Sequence, residues 1–152
     1  MKRSIHLERV YPFPPERVFR ALTDPQALAE WLMPNDFQPK LGHAFQFRSK
    51  PQGNWNGVTD CEVVELDPPR RLAYTWSGQN KDGTGRALNR TLVTWTLAAE
   101  GSGTRLILEH TGFSGFSEVA TSFLLGLGWR RMLKLRFPAQ LAGPGQSQEH
   151  AA

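Results

Sequence analysis

The 152-residue sequence holds one cysteine, Cys61. A single thiol cannot close an internal disulfide or build a zinc site, and it fits a reducing cytoplasm. Long apolar runs are also missing: none approaches the roughly 18 residues that a membrane span needs. Met1 to Arg9 is polar with no apolar core segment, which argues against a secretory signal peptide. Without secretion, Asn89-Arg90-Thr91 is a glycosylation sequon in form only. The four histidines, His6, His43, His110 and His150, show no metal-ligand spacing. There is no Gly-x-Ser-x-Gly elbow, phosphate-binding glycine loop, dinucleotide fingerprint or internal repeat. No metal and no cofactor are expected.

Hydrophobic residues make up 39% and charged residues 21%, ordinary values for a globular chain. Residues 1–142 are expected to form one domain, and 143–152, rich in Gly, Pro, Gln and Ser, a disordered tail. The net charge of +4 is scattered along the chain. Only Arg130, Arg131 and Lys134 cluster, on one side of the last helical segment, and they read as a solvated face. Nucleic acid is therefore not an expected partner. Aromatics are plentiful, with nine Phe, five Trp and two Tyr. Large rings fill cores and also line cavities for small apolar molecules.

Ile5 to Tyr11 alternates apolar with polar residues and predicts a first strand, ended by Pro12, Pro14 and Pro15. Pro15-Glu16 opens a short helix with Val18, Phe19 and Leu22 facing inward. Asp24-Pro25 opens a second, pairing an N-cap with a first-turn proline. From Leu41 the period becomes two, and Phe45 and Phe47 share one side. Val58–Asp67, Leu72–Trp76, Leu92–Ala98 and Thr104–His110 follow as strands, with a polar loop over 77–86 and a tight hairpin at Gly101-Ser102-Gly103. Glu62 and Glu65, an odd number of residues apart, are expected on opposite faces of their strand. Strands joined by short turns should pair antiparallel with helices on one face, an α+β arrangement. Phe45, Phe47, Tyr74, Trp76 and Trp95 should point inward.

Ser117 to Leu141 is the one apolar stretch long enough for a long helix. At 100° per residue, Phe116, Val119, Ala120, Phe123 and Leu127 share a face, whereas Trp129, Met132, Leu133 and Phe137 share another, rotated by about a quarter turn. Gly126 and Gly128 fall where the faces change, which predicts a bend there.

Several segments resemble the AHSA-type proteins, homologues of an activator of a heat-shock chaperone ATPase within the START-like, pollen-allergen-like superfamily. They are Val18-Phe19-Arg20-Ala21-Leu22-Thr23-Asp24-Pro25 with Trp31; Gly57, then Glu65-Leu66-Asp67-Pro68-Pro69-Arg70-Arg71-Leu72-Ala73-Tyr74-Thr75-Trp76; Val93-Thr94-Trp95; Gly103-Thr104-Arg105-Leu106; His110-Thr111-Gly112-Phe113; and Gly128-Trp129. The match covers about Ile5 to Leu141. It implies a helix-grip fold, in which an antiparallel sheet wraps a long C-terminal helix and two short helices close one end. Superfamily members bind lipids, sterols, hormones or polyketides in the central cavity, and some are cyclases or hydroxylase components. Chaperone-activating members carry an additional N-terminal domain that this sequence lacks, which weighs against a chaperone partner. Between Phe113 and Gly128 the chain is apolar where many relatives are charged, so the cavity is enlarged or closed there, or a homodimer surface is formed.

The expected function is therefore the binding of a small apolar or amphipathic molecule between sheet and helix. Its walls would be Trp31, Phe45, Phe47, Trp76, Trp95, Leu108, Phe123 and Leu127, with His110 and Arg136 supplying polarity. His110 alternates in register with Leu106 and Leu108, so it is either an orienting or general-base group in the cavity or a satisfied core histidine. Arg136 either meets a ligand anion or snorkels at the helix end. The rings either line a cavity or fill a core. The alternatives in function are an interaction module, co-chaperone-like or regulatory, and a cyclase or hydrolase in the same cavity.

Overall fold

A computed structural model describes residues 2–84 and 87–143, with the side chain of Asn89 left out. The expected tail lies, from Pro144 onward, outside the described residues. The elements run β1 (Lys2–Tyr11), α1 (Pro15–Thr23), α2 (Pro25–Trp31), β2 (Ala44–Arg48), β3 (Trp55–Asp67), β4 (Arg71–Asn80), β5 (Ala87–Glu100), β6 (Gly103–Ser114), α3 (Phe116–Arg131), a π-helical turn (Met132–Arg136) and α4 (Phe137–Leu141). This is the expected α+β helix-grip arrangement: short helices after the first strand, a curved antiparallel sheet and a long C-terminal helix.

Local chemistry sets the helix starts. Pro15 occupies the first turn of α1, where its missing N–H costs nothing. The Asp24 carboxylate accepts from the Ala27 N–H at 3.0 Å and caps α2. Val18, Ala21, Leu22, Leu28 and Trp31 are buried beneath this pair.

The six strands form one sheet in the order β1-β6-β5-β4-β3-β2, every neighbour antiparallel. β2 through β6 are a meander of sequence neighbours, whereas β1 joins β6 at the far edge. Tyr74 faces Val93, which faces His110, and Leu72 faces Trp95, which faces Leu108. Opposed residues share a face, so these side chains form one inner surface. The expected loop over 77–86 is shorter, because β4 continues to Asn80.

Two expectations change. A bulge between Val63 and Glu65 shifts the register, so Glu65 stands opposite Ala73 while Val63 stands opposite Tyr74. The extra residue resets the alternation and puts Glu65 on the same outer face as Glu62. Glu65 there meets Arg71 at 2.9 Å. The C-terminal helix is also α-helical through Gly126 and Gly128, and its hydrogen bonding departs only over Met132–Arg136. Pro138 explains the position: it has no N–H to give to the preceding turn, and a wider turn relieves its ring.

Candidate functional site

The helix-facing side of the sheet carries a polar centre in an aromatic interior. β6 places His110 there, fully buried, between β5 and α3. Trp129 of α3 donates its indole N–H to His110 Nδ1 at 3.0 Å. An indole nitrogen only donates, so Nδ1 accepts and the ring's proton resides on Nε2. Nε2 lies 2.7 Å from Thr91 Oγ1 and donates to it. The Thr91 hydroxyl donates in turn to the Trp76 carbonyl at 3.2 Å. The rings of Phe113, Trp76 and Trp129 surround the imidazole at centroid distances of 4.7, 5.5 and 6.1 Å.

Burial among rings disfavours the imidazolium and lowers the His110 pKa from 6.5 to about 3. With both nitrogens engaged and the ring neutral, His110 has no lone pair to take a substrate proton. Its chemistry is structural: it ties β5, β6 and α3 together. The same burial pushes the Tyr74 hydroxyl and the Cys61 thiol well above their ordinary ranges, so neither ionises near neutral pH. Trp95 donates to Tyr74 at 3.0 Å. Among the described residues no group of three or more His, Cys, Asp or Glu side chains is placed to hold a metal ion.

Of the expected wall residues, Trp31, Phe45, Phe47, Trp76, Trp95 and Leu108 are buried in the core, and Trp76 touches the His110 ring. They interlock ring against ring. Trp31 meets Trp95 edge-on at 5.9 Å, Trp76 meets Trp129 at 5.5 Å, and Phe45 meets Phe47 at 5.3 Å. Phe123 and Leu127 lie elsewhere, 54% and 63% exposed. The first half of α3 carries its apolar stripe on the side away from Ser117, Glu118, Thr121 and Ser122, and it is Ser122 that is buried, so apolarity alone points to the wrong face. The bond from Trp129 to His110 sets the rotation, and it brings Ser122, Trp129 and Leu133 inward instead. Arg136 is exposed and donates to the Glu30 carbonyl at 3.0 Å.

A cleft of about 620 Å³ opens at the end of the sheet where β1 begins and β6 ends, lined by Lys2, Arg3, Ser4, Thr111, Gly112, Phe113 and Ser114. That volume suits a small molecule. Phe113 is buried and packs at a tilt against His110, so one ring serves both the cleft and the polar centre. The Arg3 guanidinium lies over the Phe123 ring, 3.8 Å from its centroid. Its Nε is buried and has no hydrogen-bond partner. Sequence reasoning missed this cleft. A signal was present: Arg3 shares the alternation of Ile5 and Leu7, which sets a cation on the inner face of β1.

Residues 12–138 match the family described as Activator of Hsp90 ATPase homolog 1-like protein. Among solved structures, protein MLL2253 from Mesorhizobium loti is 35% identical over 92% of this chain and 97% of that one, with a TM-score of 0.80. CalU16 from Micromonospora echinospora is 28% identical over 97% of this chain and 80% of that one, at a TM-score of 0.68. The Aha1 dimer from Colwellia psychrerythraea shares the fold at a TM-score of 0.73, with 17% identity over 93% and 98% of the two chains. No functionally curated protein matches the sequence. No described helix is long and apolar enough to cross a membrane. With a family match over most of its length and the helix-grip architecture throughout, the chain belongs to the Activator of Hsp90 ATPase homolog 1-like family, whose fold serves ligand binding or protein interaction.

Proposed function

We propose that the protein binds a small amphipathic molecule bearing an anionic group, seated in the cleft between the start of β1 and the end of β6. The observation that carries this reading is the buried, unpartnered Arg3 Nε in the cleft wall. A guanidinium held over a ring and without an acceptor at Nε is short of partners, and a ligand carboxylate or phosphate in the cleft would pair with the cation. Lys2 adds a second cation, while Phe113 gives the ligand's apolar part a surface to cover. Burying about 200 Å² of ligand would contribute about 5 kcal/mol before the costs of immobilisation.

The rings expected to wall a central cavity pack against one another, which supports a ligand seat at the mouth of the fold. The reading takes residues 1–142 as one domain and a reducing compartment as the setting, which suits the buried free thiol of Cys61. Titration with a dansylated fatty acid tests it. Wild type should bind, and Arg3→Gln should weaken binding about 10- to 100-fold, the worth of a charge-assisted hydrogen bond. Absence of binding, or equal affinities, defeats the proposal.

A further inference from the structure

The N-terminal half of α3 turns large apolar side chains away from the sheet. Phe116 is 81% exposed, Leu124 72%, Leu127 63% and Phe123 54%. With Ala120 they occupy about a third of the helix circumference, opposite the buried Ser122 and Trp129. The stripe is about 17 Å long at 1.5 Å per residue. Arg130, Arg131 and Lys134, all exposed, continue the same face toward the C-terminus.

The size of the patch bears on its occupant. At about 200 Å² for a large apolar side chain, the four expose on the order of 500 Å². That is at the upper end of what a monomer commonly leaves bare. Two copies face to face would bury about 1,000 Å² of such surface, the threshold for a specific interface.

We propose that this face receives a second copy of the chain, with α3 packed antiparallel on α3 about a two-fold axis near Ala120 to Leu124. Charge selects the orientation. A parallel pair would set Arg130, Arg131 and Lys134 against their own copies, whereas an antiparallel pair sends the two basic clusters to opposite ends. The apolar halves then overlap, and Ala120 near the axis allows the helices to approach to about 8–10 Å. Phe123 touches Arg3 at the cleft, but Leu124 and Leu127 do not line it, so substitutions at those two leucines test the interface apart from the ligand reading.

Sedimentation equilibrium of the full chain should give about twice the 17.1 kDa monomer mass. The double variant Leu124→Glu, Leu127→Glu should raise the dissociation constant at least 30-fold, roughly the hot-spot range. Its thermal unfolding should remain cooperative, since both side chains are exposed. Orientation is read by cross-linking with a short bis-maleimide, to which the buried Cys61 is silent. Ala120→Cys copies should join. Arg131→Cys copies, about 28 Å apart in the antiparallel pair, should not. A monomer at every concentration, an unchanged dissociation constant in the double variant, or efficient joining at Arg131→Cys overturns the proposal. A monomer that sediments with phosphatidylglycerol vesicles also overturns it, and assigns the face to a lipid surface.

Discussion

Replacing His110 with glutamine should flatten one component of the protein's pH-dependent stability. The folded ring holds its pKa at about 3, against 6.5 for an ordinary histidine. Below pH 6.5 the unfolded chain takes up a proton that the folded ring refuses, so stability falls as pH falls. The slope approaches about 1.4 kcal/mol per pH unit between the two pKa values. From pH 7.5 to pH 5 the loss is about 2 kcal/mol. Because the ring is fully buried, solvent screening does not reduce this figure. The glutamine side chain of His110→Gln would not titrate, yet its amide oxygen can accept from Trp129 and its amide nitrogen can donate to Thr91. Urea unfolding of both proteins at pH 7.5 and pH 5 isolates the effect, since all other titrating groups cancel in the comparison. Wild type should lose about 2 kcal/mol more than the variant over that interval. Parallel losses would refute the assigned neutral ring, as would a folded-state histidine spectrum showing the His110 ring titrating near 6.5.

Two glycines should respond in opposite senses. Gly128 lies inside α3 with open space around a built Cβ, so Gly128→Ala should stabilise by about 0.5–1 kcal/mol, and a loss in urea unfolding would contradict this. Gly57 has φ +95°, and a Cβ there would sit 2.2 Å from the Ser49 carbonyl oxygen. Gly57→Ala should therefore cost at least about 2 kcal/mol, and a melting temperature unchanged from wild type would count against the close approach of β3 to Ser49.

Much of the fold was legible because its signals are local. Pro15, Asp24-Pro25 and the alternation of Leu72, Tyr74 and Trp76 each report on a few neighbouring residues. What escaped depends on contacts distant in sequence. The bulge at Val63 to Glu65 leaves no mark that separates it from regular alternation, yet it moves a carboxylate to the other face. The rotation of α3 could not be read from apolarity, because the apolar Phe123 and Leu127 turn outward while the polar Ser122 turns inward. It is fixed by Trp129, on α3, reaching His110, on β6. Thr91, the other partner of His110, precedes the strand expected from Leu92, so the hydroxyl that completes the network went unnoticed. Arg3 was passed over because its interest lies in what its Nε lacks, which only the packed structure reveals.

The pairing of the first strand with the last imposes an order in time. Joining Tyr11 to Thr104 closes a loop of about 90 residues, whereas each turn of the meander closes only a few. By loop-closure entropy the long closure costs about 3 kcal/mol more than a four-residue hairpin. A ribosome making this chain releases β1 first, but the edge that β1 must join does not exist until β6 has emerged. β1 thus waits, unpaired, until the other five strands have been made. Until β1 docks, the sheet ends at β6, and α3 lacks part of the surface on which it rests.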